Sequence, residues 1–163
     1  NNDELAEKIR MMINFGITGP TTIESIGTNA KMNEMEAAMG LCVLDEIGII
    51  KTERQLIWQM YQQELSGLVQ FQQWNSNSQN NYAYAPVLFE SESKLLIVEE
   101  KLKENKILPR RYFRPSLDTL SYLQSTQNCE LSRDIADRIL CLPIYPGLSK
   151  ANVTKIIELV SNE

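Results

Sequence analysis

The hydrophobic period of this chain changes at Ser66-Gly67, and that change constrains the fold more than any other feature. Before it, apolar residues recur at helical spacing; after it, stretches of period two alternate with further helical stretches. A first helix is predicted over residues 3–12, with Asp3 as its cap and Leu5, Ile9 and Met12 on one face. Residues 14–31 read as a long loop punctuated by Gly16, Gly19-Pro20 and Gly27. Loops of that length inside compact domains are uncommon and often functional. Asn33 with Glu36 is a variant capping box that opens a strongly helical stretch. That stretch carries Ala37, Ala38, Leu41 and Leu44 on one face and is expected to break or bend at Gly48. It resumes from Thr52 to Leu65 with Leu56, Met60 and Tyr61 directed inward. The small-residue patch Ala37-Ala38-Met39-Gly40 reads as packing against a neighbouring helix.

Beyond Gly67, residues 68–74 and 82–89 read as strands, and the polar run 75–81 between them as a solvated hairpin loop. A helix is predicted over 93–105, a third extended segment over 107–113, and two more helices over 130–140 and 149–160. The order is helix, loop, long helix or helix pair, then β-β-α-β-α-α. It argues for an α+β unit in which helices cover a small, mainly antiparallel sheet. The segment 1–50 has no strand partner within the chain and is expected to be the end of a larger domain, with 51–163 as a separate small domain.

With 163 residues, a core is attainable without disulfides or metal, since a domain of this size buries roughly 70% of its unfolded surface. The net charge of −5 leaves no basic footprint for nucleic acid or an anionic membrane surface. No apolar run reaches the ~20 residues of a membrane span; 40–50 is interrupted by Asp45 and Glu46. The sequence contains no histidine, which removes histidine-based triads and most zinc sites. Its three cysteines, Cys42, Cys129 and Cys141, are odd in number and widely spaced, so reduced thiols and a cytoplasmic location are expected. Cys42 and Cys141 lie in apolar runs and are expected to fill the core. The chain starts with Asn rather than Met and enters a helix at once, as expected of a piece of something longer.

Several segments, taken in order, carry a family resemblance. Residues 11–16 (Met-Met-Ile-Asn-Phe-Gly) and 27–41 (Gly-Thr-Asn-Ala-Lys-Met-Asn-Glu-Met-Glu-Ala-Ala-Met-Gly-Leu) are similar to the signature of the DegT/StrS-type sugar aminotransferases. Tyr82-Ala83-Tyr84-Ala85-Pro86-Val87 resembles that family's small-domain strand. Residues 107–115 (Ile-Leu-Pro-Arg-Arg-Tyr-Phe-Arg-Pro) resemble its substrate-facing segment, and Leu140-Cys141-Leu142-Pro143 its L-x-L-P before the terminal helix. No one match is specific alone; together, in this order, they are. The resemblance implies pyridoxal-phosphate enzymes of aminotransferase fold type I. It covers nearly the whole chain but only the C-terminal half or so of the family. The fold implied is the C-terminal small α+β domain, preceded by helices from the end of the large α/β domain.

By that resemblance, the parent is a homodimer with its active site at the subunit interface. It passes an amino group, commonly from glutamate, to a keto-sugar nucleotide. The Schiff-base lysine lies upstream, none of the nine lysines here has its context, and the chain alone is expected to be inactive. Asn29 would reach the cofactor phosphate of the neighbouring subunit, and Lys31 stands where the family usually has arginine, giving a point charge rather than a fork. Read from the residues alone, Asn29 and Lys31 also fit a loop contact beside a helix cap. Arg110, Arg111, Tyr112 and Phe113 would bind substrate, guanidinium to phosphate and ring to sugar or base. The Arg-Arg-Tyr-Phe form most resembles members that aminate the C3 ketone of dTDP-linked 6-deoxysugars. The alternation also fits an edge strand with exposed arginines and buried Tyr112 or Phe113. A different class of function is a lysine-less module, derived from the same family, that dimerises or binds a sugar nucleotide without chemistry.

Overall fold

The computed structural model describes residues 1–123 and 128–162, which form two compact units, Asn1–Glu46 and Ile47–Glu163. In the first, helix α1 (Asp3–Ile13) is capped one residue earlier than expected: the Asn2 side chain, not that of Asp3, accepts from Leu5 N at 3.0 Å. Asp3 and Glu4 then sit in the first turn, where a carboxylate complements the helix dipole. The segment expected as a loop contains a tight antiparallel hairpin, β1 (Ile17–Gly19) and β2 (Thr22–Ile23). Its return limb is latched to the end of α1 by Thr28 N to Met12 O (2.9 Å) and Ala30 N to Ile13 O (3.1 Å). Two glycines permit this close approach. A Cβ on Gly16 (φ +76°) would lie 1.9 Å from Ser25 O, and one on Gly27 would lie 2.3 Å from Gly16 N.

Helix α2 (Glu34–Glu64) begins with the capping box read from the sequence: Glu36 N donates to Asn33 Oδ1 (2.9 Å) and Asn33 N donates to Glu36 Oε2 (3.2 Å). The expected break at Gly48 does not occur. One exposed glycine costs a helix only about 1 kcal/mol, and here Thr52 Oγ1 donates to Gly48 O at 2.9 Å within an unbroken helix. Cys42 and the small-residue patch around it are largely exposed, not core as expected.

The second unit holds the core. Its sheet has the order β3 (Gln70–Phe71), β4 (Ala85–Leu88), β5 (Ile139–Leu142), all antiparallel, with β4 central. Helices α3 (Glu92–Glu104), α4 (Glu130–Arg138) and α5 (Lys150–Ser161) complete it. Ser91 caps α3 through Lys94 N and Ser149 caps α5 through Asn152 N. Ala85 and Val87 of β4 and Leu140 and Leu142 of β5 face Leu95, Val98 and Leu102 of α3 and Val153, Ile156 and Val160 of α5 in one buried cluster. From α2 the cluster takes Ile57, Trp58, Tyr61 and Leu65. Leu56, expected inward, is 57% exposed, because the buried stripe of the unbroken helix runs one residue further on. The polar run 75–81 is the expected loop between paired strands; Asn75, Asn80 and Asn81 close Asx turns onto the amides of Asn77, Tyr82 and Ala83.

The third strand is not where the sequence put it. Among the described residues, 107–113 contribute only one bridge, Arg110 to Cys141 (2.7 and 3.1 Å), while the last stretch of the expected 130–140 helix begins β5. Helix α4 stops at Arg138, whose carbonyl accepts from Phe89 N (3.0 Å) and whose Nη1 donates to Phe89 O (2.8 Å). That pairing starts the ladder. Pro86 sits in the central strand opposite Cys141 without losing a ladder bond, because the backbone groups of Cys141 turn to the other side and meet Arg110.

Candidate functional site

The two units carry separate candidate surfaces. In the first, Asn29 lies on the return limb of the 14–31 segment, paired by a β-bridge with Asn14. Its side chain is exposed and makes no hydrogen bond among the described residues, so the amide is available as a donor. Lys31 is engaged: its Nζ donates to Asn14 Oδ1 at 3.0 Å and stands 5.0 Å from the centroid of the Phe15 ring. Lys31 therefore ties the 27–33 stretch to the 11–16 stretch, two segments that the sequence linked only by resemblance.

In the second unit, Arg110, Arg111, Tyr112 and Phe113 follow one another but face different surroundings. The Arg110 backbone is fixed to Cys141, its guanidinium lies 5.3 Å from the centroid of the Tyr112 ring, and its Nη1 donates to the Tyr112 hydroxyl. Tyr112 meets Tyr84 edge to face (5.5 Å) and stacks on Phe113 (4.8 Å). Arg110, Tyr112, Tyr84 and Tyr145 line a cleft of about 310 Å³. On the other side of Tyr112, with Phe113, Pro86, Leu88 and Ile135, lies a more apolar groove of about 500 Å³. Tyr84, Tyr112 and Cys141 thus lie between a cleft that carries a guanidinium and a more apolar groove.

Arg111 turns the opposite way. Its side chain is 13% exposed, both terminal nitrogens stand 3.3 Å from Glu92 Oε1, and Nη2 donates to the Asp137 carbonyl at 2.6 Å. Arg114 joins the same pair, with Nη2 at 2.9 Å from Glu92 Oε1 and Nε at 3.1 Å from Asp137 Oδ1. Arg110 is the guanidinium of the three that opens on the tyrosines. Tyr84, Tyr145, Glu92 and Asp137 were not singled out from the sequence. Tyr84 was legible as part of an alternating strand, but nothing local connects Glu92 or Asp137 with the arginines.

Burial pushes the Cys141 thiol up from its ordinary range, with a bond from the Tyr112 backbone opposing it, so this sulfur stays protonated and packs as an apolar group. No cluster of His, Cys, Asp or Glu able to hold a metal occurs among the described residues, and no helix among them is long and apolar enough to cross a membrane.

The model of the DegT/DnrJ/EryC1/StrS aminotransferase family matches residues 1–161. The dTDP-4-amino-4,6-dideoxy-D-glucose transaminase of Escherichia coli is 33% identical over 162 residues, covering 94% of this chain and 44% of that enzyme. The enzyme of the same name from Shigella dysenteriae is 34% identical over 167 residues, covering 98% and 46%. The crystal structure of a DegT DnrJ EryC1 StrS aminotransferase from Brucella abortus superposes with a TM-score of 0.87 at 22% identity, over 99% of this chain and 44% of that one. The chain spans less than half the length of the curated relatives it matches.

Proposed function

The chain belongs to the DegT/DnrJ/EryC1/StrS aminotransferase family, and from that membership we propose that it supplies the C-terminal part of an enzyme that transfers an amino group to a dTDP-linked keto-sugar. The whole protein is read as a homodimer that uses pyridoxal phosphate and draws its amino group from glutamate. The observation that carries the substrate reading is Arg110, whose guanidinium opens with Tyr84, Tyr112 and Tyr145 on one cleft. A guanidinium suits a diphosphate, and the tyrosines offer hydroxyls and ring faces to sugar or base. Arg111 and Arg114 are engaged with carboxylates, so they hold the segment rather than the ligand. The Arg-Arg-Tyr-Phe form argued for a C3 ketone. The curated relatives are named for a 4-amino sugar, which favours C4, and we adopt C4.

Residues of this chain fit a part of a cofactor site. The exposed amide of Asn29, with no partner among the described residues, suits one oxygen of a phosphate monoester, in this reading that of the partner subunit's cofactor. Lys31 acts through Asn14 and Phe15 to hold the limb that presents it. Pyridoxal phosphate, when bound, supplies the electron sink for moving the amino group. The lysine that anchors it is expected upstream, so this chain by itself turns over nothing.

The test is amination by the whole protein of dTDP-linked 4-keto- and 3-keto-6-deoxyhexoses with glutamate as donor. A dTDP-4-amino sugar is expected, and absence of any amino sugar overturns the reading. Asn29→Asp, which sets a negative charge against phosphate, should lower cofactor occupancy through a dialysis series; unchanged occupancy removes that role from Asn29.

A further inference from the structure

The 110–114 segment is poorly held by its own backbone. Beyond the Arg110–Cys141 bridge and the bond from the Tyr112 backbone to the Cys141 thiol, its one backbone–backbone bond among the described residues is Arg114 N to Arg111 O at 3.1 Å. The rest of its anchoring comes from side chains. Glu92, in the first turn of α3 beside the Ser91 cap, offers one oxygen to two guanidiniums: Arg111 at 3.3 Å and Arg114 at 2.9 Å. Asp137, near the end of α4, takes Arg114 Nε on its carboxylate and Arg111 Nη2 on its carbonyl. Two positive and two negative charges close on one another. Arg111 Nε is buried without a partner among the described residues, so its guanidinium depends on the contacts of its terminal nitrogens. Arg111 and Arg114 pull to one side and leave Arg110 and Tyr112 on the other, facing the tyrosine-lined cleft.

We propose that Glu92 and Asp137 are positioning residues: together they clamp Arg111 and Arg114 and so orient Arg110 and Tyr112 toward the nucleotide diphosphate of the substrate. This rests on the reading above that the cleft receives a sugar nucleotide. Neither carboxylate touches the ligand. Removing the charge of Glu92 leaves a mostly buried guanidinium without its main counter-ion, and the segment turns to find another. The consequence is felt at Arg110.

The experiment uses the whole cofactor-loaded protein and dTDP as the probe, with affinity measured by calorimetry. Arg110→Ala and Glu92→Gln should each weaken dTDP by about 10-fold, and the double variant by no more than Arg110→Ala alone, as for groups acting in series. The KM for the sugar nucleotide should rise with Glu92→Gln while kcat and the KM for glutamate stay within about twofold. Asp137→Asn, on a different helix, serves the same test if Glu92→Gln does not fold. Unchanged dTDP affinity in Glu92→Gln beside a weakened Arg110→Ala overturns the clamp and leaves the site standing. Losses that multiply in the double variant, to about 100-fold, also overturn it, because the two residues then act independently. Unchanged affinity in Arg110→Ala overturns the reading of the cleft itself.

Discussion

Tyr61 offers a test of what joins α2 to the rest of the second unit. It is fully buried, and its hydroxyl donates to Pro143 O at 2.8 Å, in the turn between β5 and α5. Tyr61→Phe keeps the ring and its packing, so no cavity opens. It removes one hydrogen bond and leaves the Pro143 carbonyl without that donor, a loss of about 1–2 kcal/mol. For a unit of this size the thermal midpoint should fall by roughly 4–8 °C. Urea unfolding followed by the emission of Trp58, which is 3% exposed and packed edge-on against Phe71, reports this core directly. The midpoint should shift with no change in slope. Burial, and secondarily the nearby Tyr145, raises the Tyr61 hydroxyl well above its ordinary range. The folded state therefore holds this proton more tightly than the unfolded state does. The contribution of Tyr61 is complete below the unfolded value of about 10 and declines above it by about 1.4 kcal/mol per pH unit. The advantage of the native chain over Tyr61→Phe should close at about pH 11. Equal stability at neutral pH, or a difference that stays constant to pH 11, would refute the reasoning.

Two further outcomes are expected. The Asp118 carboxylate accepts from Ser116 Oγ (2.6 Å), Cys129 N (2.9 Å) and Arg133 Nε (2.9 Å), which hold it below its ordinary range, the Ser116 bond most of all. Its stabilisation is present above the unfolded value of about 3.9 and lost as pH falls through the lower folded value, so thermal melts of Asp118→Asn and the native chain should differ at pH 7 and converge below about pH 4; a gap that persists in acid contradicts this. In the first unit only Gly16 is buried, and Ile26, Met35 and Ile23 are among its most exposed large apolar residues. Amide exchange of the isolated chain should therefore be fast in α1 and the β1–β2 hairpin and slow in β4, α3, β5 and α5. Equal protection in both units would show that the first unit is held by something other than side-chain burial.

The features legible in the sequence were those whose cause is local. The Asn33–Glu36 capping box joins residues three apart and formed as read, and the polar run 75–81 formed the loop read there, closed by an Asx turn between residues two apart. What failed involved competition between similar segments. Residues 107–113 and 139–142 are both short stretches that open on Ile-Leu, and period alone does not rank them. The ladder went to 139–142, where Arg138 meets Phe89, and among the described residues the other segment was left a single bridge at Arg110. The break at Gly48 failed for a related reason: glycine lowers helix propensity, but the helical residues on both sides outweighed it.

The sequence by itself determined the start of α2, the α+β character of the second unit, the family, and which short stretches carry the arginines and aromatics. Local hydrogen bonding and hydrophobic period act over a few residues, so they are written in the order of the chain. Only the tertiary structure decided which arginine is available. Arg110, Arg111 and Arg114 are chemically equivalent in the sequence, and they became different because Glu92 and Asp137, 19 and 26 residues from Arg111, close on two of them. Electrostatic pairing depends on distance in space, and the packing of α3 and α4 against the sheet sets that distance.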